Sequence, residues 1–383
     1  MTGGLRMTVD LTPTVQGHAG MGRYAGELAR ALQVSALPDE RFSVFYDDPL
    51  RRHPAPPLDL LPAKTLAMAN KVWRARVMAA YIAHRGQDRL LGSPDVFLAT
   101  DHLLPRLNHA ASVFVLHDVT YLTHPGTHSR MNRAYLRHMM PQFLGAASAV
   151  ITVSKSSLRQ AVEHYSWIEP KTHVVYHGVP SGFQPVRDPD ALREIRARLS
   201  LPERFLLYVG TIEPRKNLAS LVDAFAQLNR RDLGLVIAGK TGWMSEPFFE
   251  KVRALGLEHS IVFPGFVADE DLPALYSAAD AFVFPSIYEG FGLPVLEAMA
   301  CGAPVICSNS SSLPEVAGNA AILLPPRDAG AWAGAMARLV DDPALRSDLR
   351  ERGLRQAAQF SWHRAAEQTR VLLKNAAQAR TPR

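Results

Sequence analysis

Two adjacent basic residues, Arg215 and Lys216, occur where phosphate chemistry would need them. They belong to the string Gly210-Thr-Ile-Glu-Pro-Arg-Lys-Asn-Leu218, which follows an apolar run typical of a buried strand and precedes a helical pattern. Cations at the start of a helix are mildly unfavourable for the helix, whereas the helix N-terminus itself attracts anions. The arrangement therefore indicates a diphosphate site, with a solvated basic turn as the alternative.

Two glutamates, Glu289 and Glu297, follow another apolar run in the string Pro285-Ser-Ile-Tyr-Glu-Gly-Phe-Gly-Leu-Pro-Val-Leu-Glu-Ala-Met-Ala300. A strand, a glycine-containing loop and a helix again create an anion-attracting helix N-terminus. Glu297 has apolar neighbours in the helix, so its carboxylate needs a partner, and sugar hydroxyls would serve. Glu289 lies in the loop, where it could meet a hydroxyl-rich ligand. A solvated helix acid and a loop acid are the alternatives.

A third strand end, Val262-Phe-Pro-Gly-Phe-Val267, has backbone groups that could pair with the edge of a nucleobase. Core packing would explain Phe263 and Phe266 equally well.

Other strings that suggest phosphate or metal binding are rejected. Residues Gly234–Thr241 match the P-loop pattern G-x-x-x-x-G-K-T, but their intervening Leu-Val-Ile-Ala is typical of the strand itself, whose N–H groups are committed to a sheet. The Asp-x-Asp strings Asp188–Asp190 and Asp269–Asp271 are interpreted as part of a linker and as a helix N-terminus. We therefore expect no metal ion and no nucleoside triphosphatase loop.

Strands and helices alternate along the chain, which predicts an α/β protein with right-handed βαβ units and doubly wound sheets. Ligands of such sheets bind beyond the carboxyl ends of the strands, where the strings above lie. The predicted strands are Arg6–Leu11, Phe42–Tyr46, Val96–Ala99, Ser112–Leu116, Ala149–Val153, His173–Tyr176, Phe205–Gly210, Leu233–Ala238, Ile261–Phe263, Ala281–Pro285, Pro304–Cys307 and Ala321–Leu324.

A chain of 383 residues, 47% hydrophobic, is long enough for two such domains. The segment Val179–Asp190 contains three prolines and a glycine without an apolar period, which is typical of a linker. We predict an N-terminal Rossmann-like domain over residues 1–180, a linker over 181–190 and a C-terminal Rossmann-like domain over 191–360. A helix within 361–383 is expected to pack back toward the first domain, and the two domains are expected to face each other across a cleft.

The string EGFGLPVLEAMACGAPVI, with Glu289 and Glu297 as E-x7-E, and the upstream GTIEPRKN strongly resemble the glycosyltransferases of family 4, which have the GT-B fold. The resemblance covers essentially the whole second domain. In the first domain it rests on Gly20-Met-Gly22-Arg-Tyr24, Val115-Leu-His117-Asp118, Ala149–Ser154 and Val174–Val179. At the last of these the family commonly has Asn before Gly where this chain has His177, so no role is assigned to His177.

The resemblance implies a role for each matching residue. Arg215 and Lys216 bind the donor diphosphate, Glu297 takes the ribose hydroxyls and Glu289 contacts the donor sugar. Backbone groups of Val267, Gly290, Phe291, Gly292 and Leu293 complete the nucleotide-sugar site. From the first domain, Gly20 and Gly22 form a glycine loop that approaches the phosphate, and His117 lies near the donor sugar and the acceptor.

The reaction implied is transfer of a hexose, mannose from GDP-mannose first and a UDP-sugar second, onto a saccharide or a lipid-linked saccharide. The family resemblance implies retention of the anomeric configuration. Because the donor's ligands would come from both halves of the chain, domain closure over the donor is expected. Two cations and helix N-termini aimed at the diphosphate would stabilise the leaving group, so no cofactor is expected besides the nucleotide-sugar co-substrate. A P-loop ATPase, a non-catalytic sugar-nucleotide-binding protein and a sugar-nucleotide epimerase are the competing interpretations.

Charge is unevenly distributed along the chain, whose net charge is +6. Residues 1–190 carry 20 basic and 15 acidic residues, which makes this half electropositive. Within residues 64–89, Trp73, Val77 and Tyr81 share one face of a basic helix, which predicts either an interfacial helix on anionic lipid or a helix packed on its own sheet. Without a leader or an apolar span we expect a cytoplasmic protein, with contact to the inner face of the cytoplasmic membrane as an option and no nucleic-acid partner.

Overall fold

The computed structural model describes residues 4–380. The chain folds as two compact units: one contains the described residues up to Gly178 and those from Ser361 onward, and the other is Val179–Phe360. Each unit is built on one parallel sheet covered by helices on both faces. No helix within residues 4–380 is long and apolar enough to cross a membrane.

The first unit contains seven strands: β1 (Leu5–Asp10), β2 (Glu40–Asp47), β3 (Ala63–Leu66), β4 (Val96–Ala99), β5 (Ala111–Leu116), β6 (Ala149–Thr152) and β7 (Thr172–Val174). They pair in parallel in the order β3-β2-β1-β4-β5-β6-β7. Its helices begin with α1 (Thr12–Val15), α2 (Ala19–Val34), α3 (Asn70–Ile82), α4 (Thr120–Thr123), α5 (Arg130–Ala146) and α6 (Lys155–His164).

The second unit contains six parallel strands: β8 (Phe205–Val209), β9 (Gly234–Ala238), β10 (Ile261–Gly265), β11 (Ala281–Phe284), β12 (Val305–Ser308) and β13 (Ala321–Leu324). Their order is β10-β9-β8-β11-β12-β13. Its helices are α7 (Pro189–Arg198), α8 (Leu218–Leu228), α9 (Glu246–Ala254), α10 (Leu272–Ala278), α11 (Leu293–Ala300), α12 (Leu313–Ala317), α13 (Ala329–Asp341) and α14 (Pro343–Ala357).

The last helix, α15 (Trp362–Arg380), belongs to the first unit, where it packs on α2 and on strands β4 and β5. An ion-pair cluster attaches it to the sheet: the fully buried carboxylate of Glu40 in β2 meets Arg370 Nε at 3.3 Å and Lys374 Nζ at 2.9 Å. A buried carboxylate needs such partners, so this contact fixes the helix on the first unit.

The predicted fold class is confirmed. The apolar runs form strands because the sheets are covered on both faces, and all six residues of β5 and all five of β9 are buried. The twelve predicted strands are present within two residues of their expected ends. Residues Leu235–Ala238 pair with β8 and β10, so the Leu-Val-Ile-Ala within the string Gly234–Thr241 is part of a strand, as expected, and not a phosphate loop.

The structure differs from the sequence-based expectation at three places. The edge strand β3 was not expected, because its sequence AKTL is mostly exposed and has no apolar run. The end of the predicted linker is helical: Pro189 starts α7, and the Asp188 side chain caps it by accepting a hydrogen bond from the backbone N–H of Asp190. The expected glycine loop is also helical, because Gly20 and Gly22 lie in the first turns of α2.

Candidate active site

Two strand ends of the second unit bring Arg215, Lys216 and Glu289 together. Strands β8 and β11 are neighbours, so the turn after β8 and the loop after β11 leave the same edge of the sheet. Asn217 adopts the left-handed conformation (φ 56°) between this turn and α8. Its side-chain Nδ2 donates to the carbonyl oxygen of Pro285 at 3.2 Å. The backbone N–H of Ile287 also donates to the carbonyl of Arg215, at 2.9 Å. The predicted diphosphate and sugar residues therefore form one cluster.

The cluster consists of two cations and two carboxylates. Lys216 Nζ lies 2.6 Å from Glu289 Oε1, and Arg215 Nη1 lies 3.1 Å from Glu289 Oε2. Arg215 also contacts Glu213 Oε1, at 2.6 Å, and donates to the carbonyl of Tyr288, at 2.7 Å. The four side chains are between 4% and 20% exposed, so each charge is satisfied by the others rather than by water.

Burial and pairing act in opposite directions on the protonation of this cluster. Burial lowers the pKa of Lys216 from its ordinary value, while the Glu289 carboxylate opposes that change. Burial alone would raise the pKa of Glu289, but the charges of Lys216 and Arg215 outweigh it, so the pKa of Glu289 is lowered. The pairing therefore keeps Glu289 ionised inside the protein.

Glu213 and Ser286 also belong to the cluster, although the sequence motifs predict no role for either. The hydroxyl of Ser286 lies 2.6 Å from Glu289 Oε1, next to Lys216, and its side chain is fully buried. Both residues stand in the quoted strings, two and three positions from the assigned Arg215 and Glu289, but their types alone do not distinguish a partner from a surface residue. Only the pairing geometry identifies them.

The loop that carries Glu289 is fixed by a pair of serines. Ser311 Oγ accepts a hydrogen bond from the Glu289 N–H at 2.9 Å, and Ser312 Oγ lies 2.7 Å from the carbonyl of Phe291. Gly292 caps α11 at φ 107°, where an added Cβ would lie 2.6 Å from Leu313 Cδ2, so glycine is required there. The loop residues Gly290 and Phe291 thus lead directly into the N-terminus of α11 at Leu293.

Glu297 lies one turn into α11 and is fully buried. The hydroxyl of Tyr276, on the neighbouring helix α10, donates to Glu297 Oε2 at 3.1 Å. The expected need of this carboxylate for a partner is therefore met in part by a tyrosine.

The end of strand β10 carries two phenylalanines whose roles the sequence could not distinguish: Phe263 lies within the strand, and Phe266 follows it. Phe263 packs against Phe248 and Phe249, with ring centroids 6.0 and 5.4 Å away. Phe266 is 64% exposed, and Lys240 Nζ lies 4.8 Å from the centre of its ring. Val267 is buried directly after it. Phe266 and Lys240 follow the carboxyl ends of β10 and β9, at the same edge of the sheet as Lys216.

In the first unit, Gly20 and Gly22 differ in what surrounds them. A Cβ on Gly22 would lie 2.7 Å from the carbonyl oxygen of Pro13, whereas a Cβ on Gly20 would meet nothing within 4 Å. Gly22 is required by packing, and Gly20 is exposed in the first turn of α2, where backbone N–H groups are not used within the helix.

His117 follows the carboxyl end of β5 and is buried. Its Nε2 lies 2.8 Å from the carbonyl oxygen of Thr100, which can only accept, so Nε2 carries the proton. Burial, with a smaller contribution from His102, lowers the pKa of His117 to about 4. His117 is therefore a neutral imidazole at neutral pH. The ring of Tyr24 packs edge-on against it, with centroids 5.0 Å apart.

His177, which departs from the family pattern, is part of the first unit's core. Its ring stacks on Trp362 of α15 at a centroid distance of 5.5 Å and an interplanar angle of 18°, and it also packs against Tyr24. Burial lowers the pKa of His177 well below the ordinary value. These ring contacts account for an aromatic side chain at position 177, where the family commonly has Asn.

Clusters of three or more His, Cys, Asp or Glu side chains that could hold a metal ion do not occur between residues 4 and 380. The acids of the site contact Arg215, Lys216, Tyr276 and Ser286.

Comparison with solved structures identifies the fold. Sucrose-phosphate synthase from Thermosynechococcus elongatus is similar with a TM-score of 0.76 at 24% identity, over 98% of this chain and 100% of that one. WaaG, a glycosyltransferase involved in lipopolysaccharide biosynthesis, has a TM-score of 0.71 at 15% identity, over 96% and 99% of the two chains. At such identities the likeness concerns the fold, and the two Rossmann-like units are those of the GT-B class.

Comparison with curated relatives identifies the family. Residues 18–182 match "Glycosyltransferase Family 4", and residues 193–356 match "Glycosyl transferases group 1". O-antigen chain mannosyltransferase B of Escherichia coli is 33% identical over 323 residues, which are 84% of this chain and 80% of that protein. The serotype-specific mannosyltransferase WbdA of Escherichia coli is 34% identical over 227 residues, 57% of this chain and 28% of that protein. The chain belongs to the family 4 glycosyltransferases and is a glycosyltransferase.

Proposed function

We propose that this glycosyltransferase moves mannose from GDP-mannose, with retention of configuration, onto a saccharide or lipid-linked saccharide in the synthesis of a cell-surface polysaccharide or glycolipid. The observation that carries the proposal is the cluster of Arg215, Lys216 and Glu289 at the carboxyl edge of the second unit's sheet, beside the N-terminus of α11. The choice of mannose is supported by the names of both Escherichia coli relatives.

In this proposal the second unit binds the nucleotide sugar. Lys216 and Arg215 contact the diphosphate, and the first turn of α11, with the N–H groups of Phe291 and Gly292, adds positive potential. Glu289 contacts the donor sugar and Glu297 the ribose hydroxyls. Because Glu213 and Glu289 already balance the two cations, the diphosphate is expected to share them with these carboxylates.

The nucleobase is assigned to the edge formed after β9 and β10. The backbone of Val267 would pair with the base edge, and the exposed ring of Phe266 would stack on the base. From the first unit, the N–H groups of the first turn of α2, at Gly20 and before Gly22, would meet the phosphate, because the Gly22 N–H itself donates to the carbonyl of His18 at 3.0 Å. His117 would lie at the donor sugar as a neutral hydrogen-bonding group.

The reaction breaks the bond between the anomeric carbon and the diphosphate oxygen, and negative charge develops on that oxygen. The acceptor hydroxyl oxygen forms the new bond to the same carbon on the same face, and its proton passes to the leaving phosphate oxygen. The transition state has oxocarbenium character, as in glycoside hydrolysis. Lys216, Arg215 and the helix N-terminus stabilise the departing charge where it develops, so the proposed mechanism uses no metal ion or cofactor.

A UDP-sugar is the second candidate donor. It is favoured by the fold neighbour HepE from Anabaena, described in complex with UDP-glucose, whose TM-score is 0.74 at 19% identity over 97% of this chain. The ribose and diphosphate contacts proposed above would serve either nucleotide.

Membrane contact is proposed for the exposed side of α3. Its predicted apolar face, Trp73, Val77 and Tyr81, lies in the first unit's core, so that face packs on the sheet. The opposite side exposes Val72 (52%) and Ile82 (71%) beside Lys71 and Arg76. Apolar side chains flanked by cations suit an anionic lipid surface, such as the inner face of the cytoplasmic membrane, where a lipid-linked acceptor would reside.

Thermal shift with GDP-mannose, GDP, UDP-glucose and UDP tests the donor, and NMR of the product formed with a saccharide acceptor tests the stereochemistry. We expect GDP-mannose to raise the melting temperature most and the product to be the α-mannoside. A larger shift with UDP-glucose would transfer the proposal to a UDP-sugar. No shift with any sugar nucleotide would overturn it, and an inverted product would overturn retention.

A further inference from the structure

A cavity of about 660 Å³ opens in the first unit beside the C-terminal part of α3. Its wall contains Arg76 from α3, Arg85 and Arg89 from the segment that follows the helix, and Asn108 and His109 from the loop before β5. A volume of this size is within the range of small-molecule sites.

The cavity is remote from the residues assigned to sugar transfer. Arg85 and Arg89 precede β4, and Asn108 and His109 precede β5, so the cavity lies at the amino ends of these strands. His117 lies beyond the carboxyl end of β5, and a strand of six residues spans about 20 Å. The cavity is thus a separate feature of the first unit, on the opposite edge of its sheet.

The charges of the cavity are unbalanced. Within the part of the chain that the structure describes, the side chains of Arg76, Arg85 and Arg89 have no ion pair. The one acid in the wall, Asp88, is buried and accepts hydrogen bonds from the backbone N–H groups of Asn108 (3.0 Å), His109 (3.0 Å) and Ala110 (2.8 Å). Its carboxylate is therefore occupied by the backbone, and the guanidinium groups retain their charge for a ligand.

A buried acceptor oxygen accompanies these cations. Gln87 also lies in the wall and is only 7% exposed, and its Oε1 has no hydrogen-bond partner among the described residues. This oxygen has almost no accessible surface, and a buried carbonyl oxygen without a donor is unfavourable. Rotation of the Gln87 side chain into the cavity would let a ligand hydroxyl satisfy it. The neighbouring Gly86 keeps the wall in place, because a Cβ there would lie 2.6 Å from Asp88 Oδ2 and 2.8 Å from Asn108 Cβ.

We propose that this cavity binds a phosphate group carried by a hydroxyl-bearing molecule. Guanidinium groups form paired, charge-assisted hydrogen bonds with phosphate, and Gln87 Oε1 accepts from a hydroxyl. Two sources share this chemistry: a soluble sugar phosphate and the glycerol phosphate headgroup of a lipid. Only the lipid source rests on the membrane contact proposed for α3, since the exposed residues of that helix are close in sequence to the cavity.

The experiment uses the full chain and two probes. Isothermal titration with glucose 6-phosphate, with glucose as its control, tests the soluble source. Flotation with phosphatidylcholine vesicles, with and without phosphatidylglycerol, tests the lipid source. Both are repeated with Arg85→Gln/Arg89→Gln and with Gln87→Leu. The charge-matched control, Arg130→Gln/Arg137→Gln, removes two arginines that line a separate basic groove on α5.

We expect one probe to bind, and its affinity to fall at least about tenfold in Arg85→Gln/Arg89→Gln and several-fold in Gln87→Leu, with less than about a twofold change in the control. Binding of neither probe would overturn the proposal. An equal or larger loss in the α5 control, or no loss in Gln87→Leu, would also overturn it, because general surface charge would then account for binding. The GDP-mannose thermal shift should stay unchanged in the cavity variants, so failure here is distinguishable from failure of the proposed donor.

Discussion

Lys216 Nζ lies 2.6 Å from Glu289 Oε1, and each of the two side chains is only 10% exposed. The residues are 73 positions apart and come from the ends of two neighbouring strands. Arg215 completes the cluster through Glu289 and Glu213, so that two cations meet two carboxylates. Buried ions of this kind remain stable only while each keeps its partner. The cations proposed to bind the diphosphate are thus held in place by the acid proposed to contact the sugar.

This pairing predicts that single substitutions in the cluster affect stability as well as activity. Lys216→Met leaves Glu289 buried with one cation fewer, and Glu289→Gln leaves Lys216 buried without its closest carboxylate. We expect each to lower the free energy of unfolding by about 3–5 kcal/mol at neutral pH, measured by urea denaturation. The double variant Lys216→Met/Glu289→Gln removes both charges and should unfold close to the wild type.

A double-mutant cycle separates the structural role from the catalytic one. If the double variant folds like the wild type but turns over several orders of magnitude more slowly, the charges themselves are needed in the reaction. Additive losses of stability in the two single variants and the double variant would contradict the pairing. Lys216→Ala should also lose stability, because it leaves the buried carboxylate of Glu289 without its closest cation.

The hydrogen bond from His117 Nε2 to the carbonyl of Thr100 predicts one tautomer of a neutral ring. Because the pKa of His117 is about 4 in the folded protein and near 6.5 in an unfolded chain, the unfolded state binds more protons between these values. The contribution of His117 to stability is therefore fully present above pH 6.5 and is lost as the pH falls toward 4, by on the order of 3 kcal/mol. We expect nitrogen NMR to show the Nε2–H form throughout pH 5–8.

A test of this pH dependence must separate His117 from Asp10, because the contribution of Asp10 to stability changes with pH in the opposite direction. Burial raises the pKa of Asp10 to about 7, so its contribution is present at low pH and is lost as the pH rises toward 7. Asp10 is present in both the wild type and His117→Gln, so its contribution drops out when the unfolding free energies of the two proteins are subtracted. We expect this difference to shrink between pH 7 and pH 4. A difference that does not change with pH would show that His117 titrates normally.

Sequence patterns predicted the strands because a parallel sheet buried on both faces needs continuous apolar runs, as in β5 and β9. They could not predict β3, whose residues are mostly exposed at the sheet edge, nor the helical state of Gly20 and Gly22, because glycine is a poor helix former. At Gly22 the close approach of the Pro13 carbonyl leaves no room for a Cβ, which explains a glycine inside a helix.

The positions of Arg215, Lys216 and Glu289 at strand ends were predictable, but their mutual pairing was not. Residue type and spacing indicate which edge of a sheet a side chain occupies. They carry no information on whether a carboxylate faces a ligand or a lysine from another strand, which depends on the rotamers of Glu289 and Ser286. The same reason applies to Phe263 and Phe266, three positions apart in one string: Phe263 is 37% exposed and packs on Phe249, whereas Phe266 is 64% exposed.

Phe266 and Phe263 form a matched pair for the proposed base site. Phe266→Ala removes a ring that is 64% exposed, so stability should be nearly unchanged. Its affinity for the nucleotide should fall by about 1–3 kcal/mol if the ring stacks on the base. Phe263→Ala removes contacts with Phe248 and Phe249 and should lower stability by about 1–2 kcal/mol without weakening nucleotide binding. Isothermal titration with GDP would refute the stacking role if both variants bound equally.

Gly20 and Gly22 predict opposite effects of the same substitution. Gly22→Ala would place a Cβ 2.7 Å from the carbonyl oxygen of Pro13, and we expect a loss of about 1–3 kcal/mol in unfolding free energy. Gly20→Ala meets nothing within 4 Å, and alanine is the better helix former, so stability should stay equal or rise by up to about 1 kcal/mol. If the first turn of α2 approaches the donor phosphate, the added methyl group of Gly20→Ala should nevertheless weaken GDP-mannose binding several-fold in isothermal titration. A variant that gains stability and binds the donor as tightly as the wild type would remove this turn from the donor site, whatever Gly22→Ala does.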